Sequence, residues 1–149
     1  MERNPPKKSY YPPMHTCEHI LNRTMVRMFA CERSKSTHIE RKKSRCDYLL
    51  PKEPVPEQVE ELAYCVNEVI QQHLPVTIEY LQKEVAAEVL DVSKLPKDVP
   101  ETLRIVRVGD YDACPCIGDH VENTSEIGIF QIVSHNYTDG CWRLRFKLI

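Results

Sequence analysis

The chain has 149 residues, 42% hydrophobic and 28% charged, with 20 Lys and Arg against 22 Asp and Glu for a formal charge of −2. That size fits one domain built on one core, and the near-neutral balance excludes a strongly basic, non-specific nucleic-acid coat while leaving room for a local basic face. No apolar run approaches the roughly 20 residues of a membrane span.

The start, MERNPPKKSYYPPMH, lacks the apolar stretch of a secretory signal. With seven cysteines, an odd number, the expected setting is a reducing cytoplasm, where cysteines act as thiols or metal ligands. Pro5-Pro6 and Pro12-Pro13 mark residues 1–14 as an extended entry segment. A helix is predicted from His15 to about Cys31, because Ile20, Leu21, Met25, Met28 and Phe29 recur at three- and four-residue steps. The polar stretch Ser34 to Arg45 suggests a short hairpin, with weak strands at Thr37 to Arg41 and Cys46 to Leu50. Pro54 and Pro56 open a second helix, whose stripe of Val59, Leu62, Ala63, Val66, Val69 and Ile70 runs until Pro75 stops it. Val76 to Leu81 reads as a strand, Gln82 to Leu90 as a short helix and Leu95 to Pro100 as a linker.

The last third is β-like. Leu103 to Val108 and Gly128 to Ser134 are apolar and β-branched. Cys141 to Leu148 alternates strictly, with Trp142, Leu144, Phe146 and Leu148 on one face and Arg143, Arg145 and Lys147 on the other. Asp139-Gly140 is a hairpin signal just before it. Helices and antiparallel strands are partly segregated along the chain, which makes the expected class α+β, a sheet packed with helices.

The most informative residues are His15-Thr16-Cys17-Glu18-His19. Two histidines four apart on a helix share a face, so both imidazoles reach one ion, and Glu18 points to nearly the same side. A helix N-terminus carrying two histidines by chance is an equal reading of that motif alone. Cys114-Pro115-Cys116-Ile117-Gly118-Asp119-His120 adds a thiol and an imidazole four residues apart between strands. Joined to the histidine pair, such a Cys-His pair completes four N/S ligands of the kind zinc takes.

The run Cys116-x-x-x-His120-Val121-Glu122-Asn123-Thr124-Ser125-Glu126-Ile127-Gly128 resembles the second metal motif of the editing domains of alanyl- and threonyl-tRNA synthetases and their free-standing AlaX-type relatives. His15-Thr16-x-x-His19 resembles their first motif, while LRIVRVGDYD from Leu103 and WRLRF from Trp142 resemble the strands around the second. The resemblance covers nearly the whole chain from His15. It implies one zinc ion on His15, His19, Cys116 and His120, placed between the N-terminal helix and the sheet of an α+β fold. It also implies hydrolysis of the ester joining a wrong amino acid to the 3′ end of a tRNA, with Ser- or Gly-tRNA(Ala), or Ser-tRNA(Thr), as substrate. The partner is then the mischarged acceptor end. There is no Gly-rich phosphate loop and no length for an ATP-dependent aminoacylation domain, so residues 1–149 read as the editing module alone.

Where the family usually carries two glycines and a threonine, this chain has Ile117, Gly118 and Asp119, and Cys17 stands at a common alanine. Glu18 and Asp119 are the candidate acid/base groups. Arg41, Lys42, Lys43 and Arg45, with Arg143, Arg145 and Lys147, are candidates for tRNA phosphates. Two other readings stand beside this one. HxxEH with a cysteine also resembles the site of S-ribosylhomocysteine lyases, and a degenerate editing domain would bind tRNA or a partner without catalysis.

Overall fold

A computed structural model describes residues 11–89 and 101–149, so the expected linker at Leu95 to Pro100 and residues 1–10 lie outside the described part. In chain order the elements are α1 (Pro12–Phe29), β1 (Ser36–His38), β2 (Ser44–Leu49), α2 (Pro56–Gln71), β3 (Val76–Gln82), α3 (Lys83–Val89), β4 (Thr102–Val108), β5 (Asp112–Pro115), β6 (Phe130–Thr138) and β7 (Cys141–Leu148), with a 3-10 turn at Thr124–Glu126 between β5 and β6. The class is α+β, with two antiparallel sheets ordered β1-β2-β7-β6 and β3-β4-β5.

One boundary corrects the sequence reading. The expected extended segment 1–14 gives way at Pro12, where α1 begins with its two prolines in the first turn behind an extended Tyr11 N-cap. First-turn prolines forfeit no helical hydrogen bond, because those N–H groups have no partner within the helix. The helix stops at Ala30, which is left-handed with φ 52°. β5 was not foreseen; it pairs with β4 from Val108↔Asp112 to Ile105↔Pro115.

The main core lies between the four-stranded sheet and the two long helices. From β2 and β7 come Cys46, Tyr48, Trp142, Leu144 and Phe146, and from the helices come Met14, Cys17, Ile20, Leu21, Met25, Leu62 and Val66, all fully buried. The alternation of β7 is realised as read: Trp142, Leu144 and Phe146 point inward, and the basic residues between them line the outer face. A smaller cluster of Ala86, Leu103 and Ile105 sits under α3. Helix α1 also touches β4, β5 and the 3-10 turn, so it packs against both sheets. Among the described residues no helix is long and apolar enough to cross a membrane.

Candidate metal centre

Helix α1 buries more than an apolar stripe: His15, Thr16, Glu18, His19, Asn22 and Thr24 are all buried as well. Polar groups survive inside a protein when they find partners, and here the partners come from the loop after β5. The imidazoles of His15 and His120 stack with centroids 4.1 Å apart, and His19 meets both rings edge-on at 5.1 and 4.5 Å. The Cys116 sulfur lies 3.4 Å from His15 Nε2 and 3.6 Å from His120 Nε2. One donor atom from each of His15, His19, Cys116 and His120 falls within 4.8 Å of the other three. Zinc bonds of ~2.1 Å to nitrogen and ~2.3 Å to sulfur give a tetrahedron whose N–S edge is ~3.6 Å. The four side chains therefore fit a zinc-sized cation, and the donor set could hold a metal.

The outer nitrogens of the rings are organised too. His15 Nδ1 lies 3.0 Å from the Asp119 carbonyl oxygen, an atom that only accepts, so Nδ1 donates to it and Nε2 faces the Cys116 sulfur. His120 Nδ1 is 2.9 Å from Thr16 Oγ1, which also accepts the Val121 N–H at 3.2 Å. His19 Nδ1 faces the buried carboxylate of Asp112 at 3.6 Å. The ligand loop is pinned by Arg104, whose Nη1 donates to the carbonyls of Cys116 at 2.7 Å and Gly118 at 3.0 Å.

The electrostatics follow the geometry. Burial would push the Cys116 thiol up, but hydrogen bonds from His120, His15 and His19 draw it down to about 3. Burial would pull His19 down, yet Asp112, Cys116 and Glu18 raise it to about 10. His120 is lowered, chiefly by burial. Asp112 is held well below the usual carboxylate range, because His19 and Arg33 outweigh its burial. A metal would have to displace the His19 proton, whereas the same contacts favour the thiolate form of Cys116. Protons thus compete through His19 at every pH below its metal-free value, and affinity rises with pH. Metal affinity is expected to rise with pH through the neutral range, readable by competition with a chelator.

Glu18 stands beside the centre. Its Oε2 accepts from Asn22 Nδ2 at 2.5 Å and from Thr37 Oγ1 at 3.5 Å, and its Oε1 lies 3.8 Å from His19 Nε2. Asn22 cannot turn away, because its Oδ1 accepts from the Tyr48 hydroxyl at 2.7 Å and the Ser34 N–H at 3.2 Å. A pocket of about 310 Å³ opens here, lined by His15, Glu18, Thr37, Ile39, Cys116, Ile117 and Gly118. Asp119, the other acid/base candidate, has an exposed side chain and meets the centre through its carbonyl.

The basic candidates divide into two groups. Arg41, Lys42 and Lys43 are exposed on the β1–β2 turn, which Ile39 joins to the pocket wall, and Arg41 lies over the Tyr11 ring at 4.8 Å. Arg45 and Arg145 are cross-strand neighbours on the outer face of the sheet, and Lys147 is exposed further along β7. Arg143 grips Asp47 with two nitrogens at 2.9 and 3.1 Å. Sequence reasoning missed Thr16, Asn22, Arg104 and Asp112; only the unusual number of polar residues on α1 hinted at them.

Comparison with known proteins matches residues 103–144 to the family Threonyl and Alanyl tRNA synthetase second additional domain. That segment holds Cys116 and His120; the α1 histidines lie outside it. The alanyl-tRNA editing protein AlaX-L of Pyrococcus horikoshii is 31% identical over 134 residues, 89% of this chain and 32% of that protein. The alanine–tRNA ligase of Petrotoga mobilis is 31% identical over 124 residues, 82% of this chain and 14% of the ligase. That of Coxiella burnetii is 32% identical over 129 residues, 85% of this chain and 14% of the ligase. The chain spans about a third of AlaX-L and about a seventh of either ligase.

Proposed function

This chain belongs to the family of the threonyl and alanyl tRNA synthetase second additional domain, as an AlaX-like member, and on that premise we propose that it hydrolyses mischarged tRNA in trans, in the cytoplasm. Ser- or Gly-tRNA(Ala) is the first expected substrate and Ser-tRNA(Thr) the second. The observation that carries the reading is the convergence of four N/S donors beside a pocket that also presents a buried carboxylate.

His15, His19, Cys116 and His120 would hold one zinc ion. Bound there, zinc would supply Lewis acidity toward an ester carbonyl and acidify nearby water. Glu18 takes the proton of the attacking water on Oε1, since Asn22 and Thr37 occupy Oε2. Ile39, Ile117 and Gly118 line the apolar side of the pocket. Arg41, Lys42 and Lys43 contact phosphates of the acceptor end as it enters beside Ile39, and Arg45, Arg145 and Lys147 extend the basic track over the sheet. Arg143, already paired with Asp47, adds charge to that track more than grip.

The direct test is release of amino acid from Ser-, Gly- and Ala-tRNA(Ala) and from Ser-tRNA(Thr). Rapid loss of one wrong amino acid with Ala-tRNA(Ala) spared is the expected result. Glu18→Gln should slow that release about a hundredfold or more while metal content stays unchanged. No release from any of the four by zinc-loaded protein overturns the proposal. A complete Cys-His₃ set is also how structural zinc is held, which supports the second reading, a binding module without catalysis. Retained tRNA binding with no deacylation would select it.

A further inference from the structure

Asp112 is a buried carboxylate that the reaction above does not use. Its side chain has no solvent exposure and sits at the start of β5, four residues before Cys116. Arg33 donates to both its oxygens, at 2.8 and 3.3 Å, and Arg23 Nε donates to Oδ1 at 2.9 Å. Arg23 lies on α1 one turn after His19, and Arg33 lies in the segment leading out of α1. The carboxylate is thus clamped from two sides by groups that meet it in a fixed fork geometry.

Its Oδ2 faces His19 Nδ1 at 3.6 Å, and that nitrogen is fully buried with no hydrogen bond of its own. The other two imidazoles have their Nδ1 atoms bonded, His15 to a carbonyl and His120 to a hydroxyl. Among the described residues, the outer nitrogen of His19 is the one that faces a buried carboxylate while making no hydrogen bond. A metal-ligating histidine characteristically gives its second N–H to such a group, which fixes the tautomer and makes the ring a stronger donor.

We propose that Asp112, held in place by Arg23 and Arg33, is a positioning residue for the metal: it accepts a hydrogen bond from the Nδ1–H of His19 and so presents Nε2 to the ion. The clamp makes His19 the anchor among the four donors and ties metal retention to the arginines only through Asp112. This rests on the metal reading of the four donors and not on deacylation.

The test compares two variants of the full chain by zinc affinity, measured against a competing chelator, and by the visible spectrum of the cobalt(II)-substituted protein. Asp112→Asn loses the charge facing His19; Arg33→Met loses one ion pair but keeps that contact. Zinc affinity should fall roughly 10–100-fold in D112N, with an altered cobalt spectrum. In R33M it should stay within about threefold of the native chain. Native affinity and spectrum in D112N, or equal losses in both variants, would reduce Asp112 to a structural ion pair and overturn the proposal. If D112N does not fold, NMR of the zinc-loaded native chain decides: an exchange-protected proton on His19 Nδ1 supports the proposal, and a metal-bound or bare Nδ1 overturns it. A native chain that binds no zinc overturns the metal reading and this proposal together, whereas tight native binding unaffected by D112N overturns this one alone.

Discussion

Replacing His19 with alanine is expected to abolish stoichiometric zinc binding and to lower deacylation by more than the ~10–100-fold typical of losing an outer-shell partner. His19 is 3% exposed on the inner side of α1, and its ligand atom lies within 4.8 Å of those of the other three donors. The substitution removes one of four donors and the group that Asp112 addresses. Metal content by elemental analysis and release of serine or glycine from tRNA(Ala) are the two readouts. Thermal unfolding of the variant alongside chelator-treated native chain separates site from fold. Similar melting of the two means the loss is chemical. A variant that keeps full activity without metal would remove the ion from the mechanism.

The largest effect on stability is expected at Trp142→Ala, about 3–5 kcal/mol. Trp142 has no solvent exposure and pairs across the sheet with Tyr48 on one side and Tyr137 on the other. Its ring packs against Phe29 at 6.4 Å and His135 at 5.5 Å, and its Nε1 donates to His135 Nδ1 at 3.3 Å. Against a typical total of about 5–15 kcal/mol, that loss leaves a barely folded chain. Urea unfolding should show the midpoint falling with the slope kept. Lys147→Ala, five residues on and exposed, should change stability by less than about 0.5 kcal/mol.

These two residues were legible in the sequence for different reasons. Trp142 belongs to an unbroken alternation, and a period of two can only place it on the core face once its arginine neighbours face water. The histidines and Cys116-x-x-x-His120 were legible because each half of the centre is local, four residues on one element or one loop. Asp112, by contrast, meets Arg33 and Arg23 across sequence separations of 79 and 89 residues. Nothing in the run Asp110-Tyr111-Asp112 marks one aspartate as exposed and the next as buried. β5 was missed because four residues are too few for an alternation to show. The start of α1 was misplaced because two prolines signal an extended chain and a first helical turn equally well.

Helix α1 donates half of the centre and the loop after β5 the other half, and Cys116 follows His15 by 101 residues. An ion held by both would close a ring of about a hundred residues, acting on the unfolded chain as a cross-link between distant points does. During synthesis α1 precedes the ligand loop, and although Glu18 and Asn22 find Ser34, Thr37 and Tyr48 early, its histidines meet their fellow donors only once the chain has been made through His120. The packing of that helix face is therefore completed only by the last third of the chain. Were such an ion bound, its supply would also set how long newly made chain stays open to proteases.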